Sequence, residues 1–317
     1  MFDYNVLDDQ EKITFALRSL YLEHGFTRYR MSRFEEYDFY SRNKDFLVSE
    51  GMITFNDTNG KLLALKPDVT LAIIKNRRDN PDTLDKLCYN ENVYRVSKKT
   101  NSFTEIMQTG LECIGDVNLD CIRQVLSLAA RSLAVCSPRF VLEVSHLGIL
   151  SALVDEISLE EEVRRAVLKY VGEKNLHGIR ALCRANGIGE ERAAPLCRLL
   201  GAYGSGAAVF PVLEELCAAR GITDRLWELR DALSVFDGTD LADRVQLDFS
   251  AVSDMNYYNG IIFQGFIDGI PERVLSGGQY DRLMRRLRRE SRAVGFAVYL
   301  DRIERLNAPE TEEDALC

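Results

Sequence analysis

The sequence predicts an α+β fold in which a mixed, mostly antiparallel sheet is flanked by helices and interrupted by a helical insertion. Segments rich in aromatic and β-branched residues fill the first part, a segment with helical spacing and many alanines follows, and strand-like segments then resume. This order is typical of one core interrupted by a second unit. The predicted divisions are a first core part at 1–148, a helical insertion at 149–243, a second core part at 244–307 and an acidic tail at 308–317.

The first core part begins with a predicted helix over residues 9–24. Its apolar residues recur with helical spacing, and Gly25 is a plausible stop. The strand-like pieces that follow are "FLVSEGMITFND", "KLLALKPDVTLAIIKN", "NENVYRV", "TEIMQTGLECIG" and "RFVLEVSH". In the last piece Phe140, Leu142 and Val144 alternate, which predicts one buried face of an antiparallel sheet.

The second core part resumes after a segment in which glycine-broken helical patterns contain hardly a strand candidate. Its strand-like pieces are "RVQLDFSAV", "YYNGIIFQGFI" and "AVGFAVYLDRIERL". The last piece changes from an apolar strand to a charged helix near Tyr299.

Composition excludes several classes of protein. A chain of 317 residues with 46% hydrophobic content can bury a large core, whereas a net charge of -9 and a pI near 5.1 argue against a protein that mainly grips nucleic acid. The first residues lack the charged and apolar regions of a signal peptide, and no stretch approaches the roughly 18 apolar residues of a membrane span. We therefore expect a cytoplasmic protein without a membrane partner.

Cysteine and histidine spacing predicts no metal site. The eight cysteines form no CxxC pair and the three histidines are far apart in sequence, so we expect neither zinc nor another cofactor. The thiols are interpreted as small buried hydrophobic groups. A structural role is favoured for His146, because no serine or cysteine elbow motif accompanies it.

Two segments place polar side chains where plain strands are expected. In "LKPDVTLAIIKN", Asp68 and Thr70 are two residues apart after Pro67, which predicts that they share one side of an extended strand. In the strand "TEIMQTGLECIG", Gln108 and Glu112 are an even number apart and share a face. Carboxylate and amide groups together suit a ligand with an amine and a heterocyclic N–H.

Two further segments supply possible walls for that ligand. "LSGGQYDRL" contains Gly277 and Gly278, which let a backbone approach a ligand closely, and then Tyr280. "SDMNYYNGIIF" contributes Tyr257 and Tyr258 but no base, nucleophile or cation. Each feature alone is more often structural, but together they indicate a small, acidic, amino-acid-sized pocket.

These segments resemble the class II aminoacyl-tRNA synthetases, and within them the histidyl-tRNA synthetase branch. "LKPDVT" is similar to the segment "RPE.T", and "SDMNYYNGIIF" and "SGGQYDRL" resemble "RGLDYYTGTVFE" and "GGRYDGL". "VYRVSKKTNSFTEIMQTGLECIG" resembles motif 2, and "AVGFAVYLDRIERL" resembles motif 3 with Arg302 at its arginine. The resemblance reaches about residue 307 and implies a class II synthetase-like fold.

The resemblance also implies a histidine-binding site. The positions that would hold histidine are Asp68, Thr70, Arg95, Gln108, Glu112, Tyr257, Tyr258, Gly278 and Tyr280. In this hypothesis Glu112 or Asp68 contacts the ammonium group, and Tyr258 and Tyr280 enclose the imidazole ring.

Departures from the family pattern fall on the positions that handle ATP. The changed positions are Ser97, Thr104, Ser253, Asn256 and Tyr299. Adenylation needs fixed cations at the developing charge, and here Ser253 and Thr104 stand where the family has arginines. Tyr299 occupies a glycine position of motif 3, where a ring would obstruct the nucleotide. We therefore expect no adenylation, and no tRNA partner, because the chain stops just beyond motif 3 without an anticodon-reading domain.

This combination resembles the family of ATP phosphoribosyltransferase regulatory subunits. It implies a non-catalytic, allosteric chain in histidine biosynthesis that senses histidine and assembles with a short catalytic subunit. A dimer within a larger hetero-oligomer is expected mostly by analogy of fold.

Two alternatives stay open. One is a catalytically competent synthetase-like paralogue that activates an acid for transfer to protein or RNA, which the arginine-rich stretch "RLMRRLRRESR" supports. A solvated helix face or a partner-docking surface is the favoured explanation of that stretch, given Glu290 and the acidic charge of the whole chain. The other alternative is a scaffold for the phosphoribosyltransferase that binds no ligand.

Overall fold

The computed structural model describes residues 6–44, 47, 51–97, 101–252 and 257–304. The helices are α1 Asp9–Glu23, α2 Tyr37–Arg42, α3 Val69–Asn76, α4 Leu119–Cys136, α5 Leu147–Ile157, α6 Glu161–Gly172, α7 Leu176–Ala185, α8 Glu190–Gly201, α9 Gly206–Ala218, α10 Thr223–Leu233, α11 Asp281–Arg286 and α12 Leu300–Glu304. The strands are β1 Thr27–Arg28, β2 Phe34–Glu36, β3 Thr54–Asn56, β4 Leu62–Leu65, β5 Leu84–Val96, β6 Phe103–Gly115, β7 Phe140–His146, β8 Val245–Leu247, β9 Ile261–Ile267, β10 Leu275–Gln279 and β11 Arg292–Tyr299.

An eight-stranded sheet organises the described part of the chain, with the order β1-β5-β6-β11-β10-β9-β7-β8. Its neighbours are antiparallel except for the pairs β1–β5 and β7–β8, which are parallel. A separate three-stranded sheet has the order β2-β4-β3. The predicted mixed, mostly antiparallel α+β fold is confirmed.

The central strands come from both predicted core parts. β5 and β6 form a long hairpin, and β6 also pairs with β11, so that Glu112 lies opposite both Leu87 and Gly295. On β7 the side chains of Phe140, Leu142 and Val144 are buried, as their alternation predicts.

Several element boundaries follow directly from local sequence signals. The helix α1 starts with a capping box between Asp8 and Glu11, and Gly25 follows it with a φ of 83°. The predicted change from strand to helix near Tyr299 is confirmed, because β11 ends at Tyr299 and α12 begins at Leu300.

The sequence analysis did not predict every element, and α4 and β10 are two that it missed. The helix α4 begins after Asn118, whose side chain accepts a hydrogen bond from the Cys121 amide, and it buries one apolar face. The strand β10 consists of "LSGGQ", in which two glycines hide the strand pattern.

The helices α5 to α10 occupy the segment that was predicted to be helical. Their apolar faces share a hydrophobic cluster with the sheet, which includes Leu196 of α8 and Leu142 of β7. Within the described ranges, no helix is long and apolar enough to cross a bilayer.

A second hydrophobic cluster positions the candidate site. It joins Leu71 and Ile73 of α3 to Leu283 and Met284 of α11, and it includes the buried ring of Tyr280. Both short helices therefore pack on a common core beside β5 and β6.

Candidate ligand-binding site

Asp68 and Thr70 lie at the start of a helix, so their predicted placement on an extended strand is wrong. The backbone of Asp68 is extended, but its carboxylate caps α3 by accepting a hydrogen bond from the Leu71 amide at 2.8 Å. The strand prediction gave too much weight to Pro67. Proline restricts the residue before it, and a proline two residues before the first helical residue is compatible with the helix. Thr70 then lies in the first turn and reaches the sheet.

Glu112 is the centre of the candidate site. Its Oε1 accepts a hydrogen bond from the Thr70 hydroxyl at 2.6 Å, and its Oε2 accepts one from the Tyr280 hydroxyl at 2.6 Å. The side chain is buried, at 2% exposure. Three segments that the sequence analysis selected separately therefore meet at one carboxyl group.

Burial and negative charge govern protonation at this centre. Burial raises the pKa of Glu112 to about 8, the two hydroxyl donors oppose that increase, and Asp68 adds to it. Burial also raises the pKa of Asp68, which Arg95 and two backbone amides partly counteract. A ligand cation beside these carboxyl groups would therefore stabilise their ionised forms.

Arg95 supports Asp68 from β5. Its Nε donates to the Pro67 carbonyl at 3.1 Å, and its Nη2 lies 3.9 Å from the Asp68 carboxylate. Thr104 lies opposite Arg95 in the β5–β6 register. The arginine is thus directed at the start of α3, and its nearest cross-strand neighbour is a neutral hydroxyl.

Three tyrosines form an aromatic wall beside Glu112. The rings of Tyr257 and Tyr258 make an edge contact at 4.7 Å, and those of Tyr257 and Tyr280 are 5.7 Å apart. Burial raises the pKa of Tyr257 and of Tyr280 well above the ordinary value. These hydroxyls are therefore neutral donors at physiological pH.

The glycine pair lets strands and rings pack closely within the protein. A Cβ atom on Gly278 would lie 3.0 Å from the Tyr258 ring and 2.8 Å from the Ile261 carbonyl oxygen. A Cβ atom on Gly277 would lie 2.7 Å from the Phe263 ring. The close approach predicted for a ligand is thus made, at these two positions, by neighbouring strands and by Tyr258.

Tyr299 closes one side of the site. It pairs with the buried Gln108 across β11 and β6, and its hydroxyl is 2.9 Å from the Ser276 hydroxyl. The Cζ atom of Arg302 lies 4.5 Å from the Tyr299 ring centroid, and Arg302 also forms an ion pair with Glu272 at 3.4 Å. The motif 3 arginine is thus engaged by groups of this chain.

Of the other changed positions, the structure describes Ser97 but not Ser253 or Asn256. Ser97 directly follows β5, and its amide donates to the Ser102 carbonyl at 2.8 Å. Ser253 and Asn256 lie outside the described residues, as does the predicted tail at 308–317.

A buried ion pair next to the site was missed by sequence reasoning. Lys66 has no exposed surface, and its Nζ is 2.5 Å from Oε2 of Glu91. The available signal was a single lysine inside the apolar run "LLALKP", followed by strand "NENVYRV" with Glu91. This pair holds the segment before Asp68 against β5.

His146 and the cysteines serve structural roles where they are described. His146 Nδ1 accepts a hydrogen bond from the Gly148 amide, and its Nε2 lies 3.3 Å from Glu228. Six described cysteines are buried and Cys136 is partly exposed. Among the described residues, no group of three or more acidic, histidine or cysteine side chains could hold a metal ion.

Comparison with known proteins gives a consistent relationship. The family model described as "Histidyl-tRNA synthetase" matches residues 6–303. An ATP phosphoribosyltransferase regulatory subunit from Clostridium kluyveri is 28% identical over 90% of this chain and 75% of that protein.

Solved structures agree on the fold. An ATP phosphoribosyltransferase regulatory subunit/histidyl-tRNA synthetase from Bacillus halodurans has a TM-score of 0.80 and 25% identity, covering 98% of this chain and 83% of that one. A chain of the ATP phosphoribosyl transferase (HisG:HisZ) complex from Thermotoga maritima has a TM-score of 0.70 and 20% identity, covering 94% and 98%.

Proposed function

Because the chain belongs to the histidyl-tRNA synthetase family, we propose that it is a non-catalytic regulatory subunit of ATP phosphoribosyltransferase. It binds histidine at the Glu112 site and transmits feedback inhibition to a short catalytic chain. The names of the relatives in Clostridium kluyveri and Bacillus halodurans support this assignment.

The observation that carries the proposal is the contrast between the two halves of the site. Glu112 is buried with hydroxyl donors on both oxygens, and Asp68 lies near it with Arg95. The Tyr299 ring meanwhile lies between Ser276 and Arg302. The residues proposed to bind the amino acid are therefore retained, whereas the Tyr299 ring fills the part of the site proposed for the nucleotide.

The proposed binding mode uses the two buried carboxyl groups, Glu112 and Asp68. The histidine ammonium group lies against Glu112, with Asp68 adding attraction, because both carboxyl groups gain from a nearby cation. The imidazole N–H donates to an acceptor such as the side-chain oxygen of Gln108 or Thr70. Tyr257, Tyr258 and Tyr280 enclose the ring, with Gly278 behind Tyr258.

Adenylation is disfavoured in this proposal because the cationic groups it needs are replaced or engaged. Thr104 supplies no charge opposite Arg95, and the guanidinium of Arg302 is stacked on Tyr299. Fixed cations consequently give little stabilisation to the charge that develops when a carboxylate reacts with the α-phosphate of ATP.

The biological role follows from linkage. Histidine inhibits if it binds one state of the assembled enzyme better than another, by a coupling free energy of about 1–3 kcal/mol. We infer that the chain is cytoplasmic, that it is required for the first step of histidine biosynthesis, and that it dimerises within a larger hetero-oligomer with the catalytic chain.

A second candidate function is a synthetase-like paralogue that activates an acid for transfer to protein or RNA. The exposed arginines of α11 favour it, since they provide local positive charge in an acidic chain. ATP–pyrophosphate exchange separates the two functions, because only this second candidate requires it.

The decisive experiment reconstitutes the assembly. The chain is purified together with the catalytic chain from the same organism, and phosphoribosyl transfer to ATP is measured over a histidine titration, alongside ATP–pyrophosphate exchange. The proposal expects stable co-purification, inhibition by histidine that needs this chain, and no exchange. Exchange with any amino acid, or transfer that histidine does not affect, contradicts it.

A further inference from the structure

An exposed arginine face lies on α11 and on the turn that follows it, and it is defined by Arg282, Arg285, Arg286 and Arg288. The first three are spaced i, i+3 and i+4, so they are neighbours on one side of the helix. The opposite side buries Leu283 and Met284 in the second hydrophobic cluster. The helix is thus fixed to the core and presents guanidinium groups to the outside.

Arg288 occupies a backbone position that favours glycine. Its φ is 59°, and it ends α11 with its own amide donating to the Arg285 carbonyl and the Arg289 amide donating to the Met284 carbonyl. A non-glycine residue in this conformation is strained, and strained residues cluster at functional surfaces. The turn directs a fourth arginine to the end of the face at an energetic cost.

The remaining arginines of "RLMRRLRRESR" donate hydrogen bonds to backbone carbonyls of this chain. Arg289 donates to the Ile74 carbonyl at 3.2 Å, and Arg292 donates to the Val117 carbonyl at 2.8 Å. By contrast, Arg285 and Arg288 form no ion pair within the part of the chain that the structure describes. Arg285 and Arg288 therefore carry positive charge that no ion pair within the described residues neutralises.

The arginine face is connected to the candidate ligand site through α11 and α3. Tyr280, which donates to Glu112, immediately precedes α11. At the other end of the two short helices, Arg289 contacts Ile74 of α3, and Asp79 accepts hydrogen bonds from the segment that follows Arg289. Both helices thus begin at the ligand site and are tied together at the surface.

We propose that the arginine face docks an acidic protein surface on the catalytic chain, and that ligand bound at Glu112 alters this contact through Tyr280. This inference rests on the proposed function. Guanidinium groups bind carboxylates in bidentate geometry and are enriched at protein interfaces. Segment 281–292 contains no aromatic side chain for base stacking, and the whole chain carries a charge of -9, so a protein partner fits better than a nucleic acid.

The test uses a matched pair of double charge reversals. Arg285→Glu/Arg288→Glu alters the arginine face, and Arg184→Glu/Arg192→Glu makes the same change in net charge at exposed positions on α7 and α8. Affinity for the purified catalytic chain is measured by isothermal titration calorimetry at two salt concentrations, and the melting temperature of each variant checks its fold.

We expect the first double variant to bind about 100-fold more weakly, with the control within about threefold of the unchanged chain. Binding of the unchanged chain should also weaken as salt increases. Equal losses in both variants, or no loss in either, overturn the arginine face as the docking surface while leaving the regulatory function intact. If the unchanged chain fails to bind the catalytic chain, the proposed function itself fails and the docking surface with it.

Arg288→Gly gives an independent readout. Glycine relieves the strained conformation, so this variant should melt at a higher temperature and still bind the catalytic chain more weakly. A variant that is more stable and binds with unchanged affinity contradicts a docking role for Arg288. Loss of co-purifying RNA from the Arg285→Glu/Arg288→Glu variant, with protein binding unchanged, would contradict the protein partner in favour of nucleic acid.

Discussion

Gly295 lies directly opposite Glu112 on adjacent strands, and a Cβ atom built on Gly295 would overlap Oε2 of that carboxylate. The strand β11 therefore leaves room for the Glu112 side chain only because this position has no side chain. The absence of a side chain at Gly295 therefore matters for the placement of Glu112 in the candidate site as well as for the packing of the sheet.

Gly295→Ala should displace the Glu112 carboxylate and abolish detectable histidine binding. The added methyl group also presses on the Leu111 carbonyl, so we expect a loss of about 2 kcal/mol in the free energy of unfolding. Calorimetric titration and urea unfolding measure the two effects. Gly201→Ala is the matched control, since its Cβ atom would have no neighbour within 4 Å. Normal histidine affinity in Gly295→Ala would argue against Glu112 as the ligand contact.

Glu112→Gln should weaken histidine binding about 30-fold, because a neutral amide replaces the charged acceptor of the ammonium group. Glu105→Gln on the same strand is the control, since Glu105 is exposed and bonds to Asn92 and Tyr94. Equal affinities of both variants for histidine would remove Glu112 from the binding site.

The stability of the unliganded chain should fall between about pH 5 and pH 8 because of Glu112. The pKa of this group is about 8 in the folded protein, against 4.5 for the ordinary group, so the folded state keeps a proton that the unfolded state loses as pH rises. Protonated Glu112 thus contributes its full stabilisation of the folded state below pH 4.5. This contribution is lost as the pH rises through 8. Melting temperatures of the unchanged chain and of Glu112→Gln, compared across this range, should diverge by about 5 °C. A constant difference between them would show that Glu112 does not titrate as described.

Tyr299→Gly should allow nucleotide binding without restoring adenylation. Removing the ring opens the space that it fills and removes the stacking contact of Arg302, which keeps its ion pair with Glu272, whereas Ser97 and Thr104 still provide no charged group. The variant should also lose about 3 kcal/mol of stability, because a nearly buried ring and its bond to Ser276 disappear. ATP binding is measured by calorimetry, and Tyr299→Phe, which keeps the ring, should show none. Equal ATP affinities of the two variants would mean that the ring is not the obstruction.

Lys66→Met should destabilise the chain by about 3 kcal/mol, because it leaves the carboxylate of Glu91 largely buried without its cation. Lys66→Met/Glu91→Leu should recover much of that loss, since both charged groups are then absent. Urea unfolding of the two variants and the unchanged chain checks this. If the double variant is no more stable than Lys66→Met, the pair does not act as a unit.

Sequence patterns predicted the layered fold and many of the residues that meet at Glu112. The alternation at Phe140, Leu142 and Val144 predicted a buried strand face, and the change of period near Tyr299 predicted the start of α12. These predictions succeeded because each depends on the periodic alternation of buried and exposed side chains over a few consecutive residues.

Other features were beyond local patterns. The helical position of Thr70 depends on the cap that Asp68 provides, and a short apolar run can form either a strand or a buried helix. The stacking of Arg302 on Tyr299 and the partner of Lys66 depend on tertiary packing, since each contact needs the relative placement of neighbouring elements. The overlap at Gly295 is visible only once the register of β6 and β11 is known.

The pairing of β6 with β11 also determines when the site can form during synthesis. Gly115 and Arg292 are partners in that register although more than half of the chain separates them. A ribosome releases β6 long before β11, so the strand carrying Gln108 and Glu112 keeps an unpaired edge while the helices between them are made. The candidate site around Glu112 therefore cannot be completed in the nascent chain until β11 has emerged.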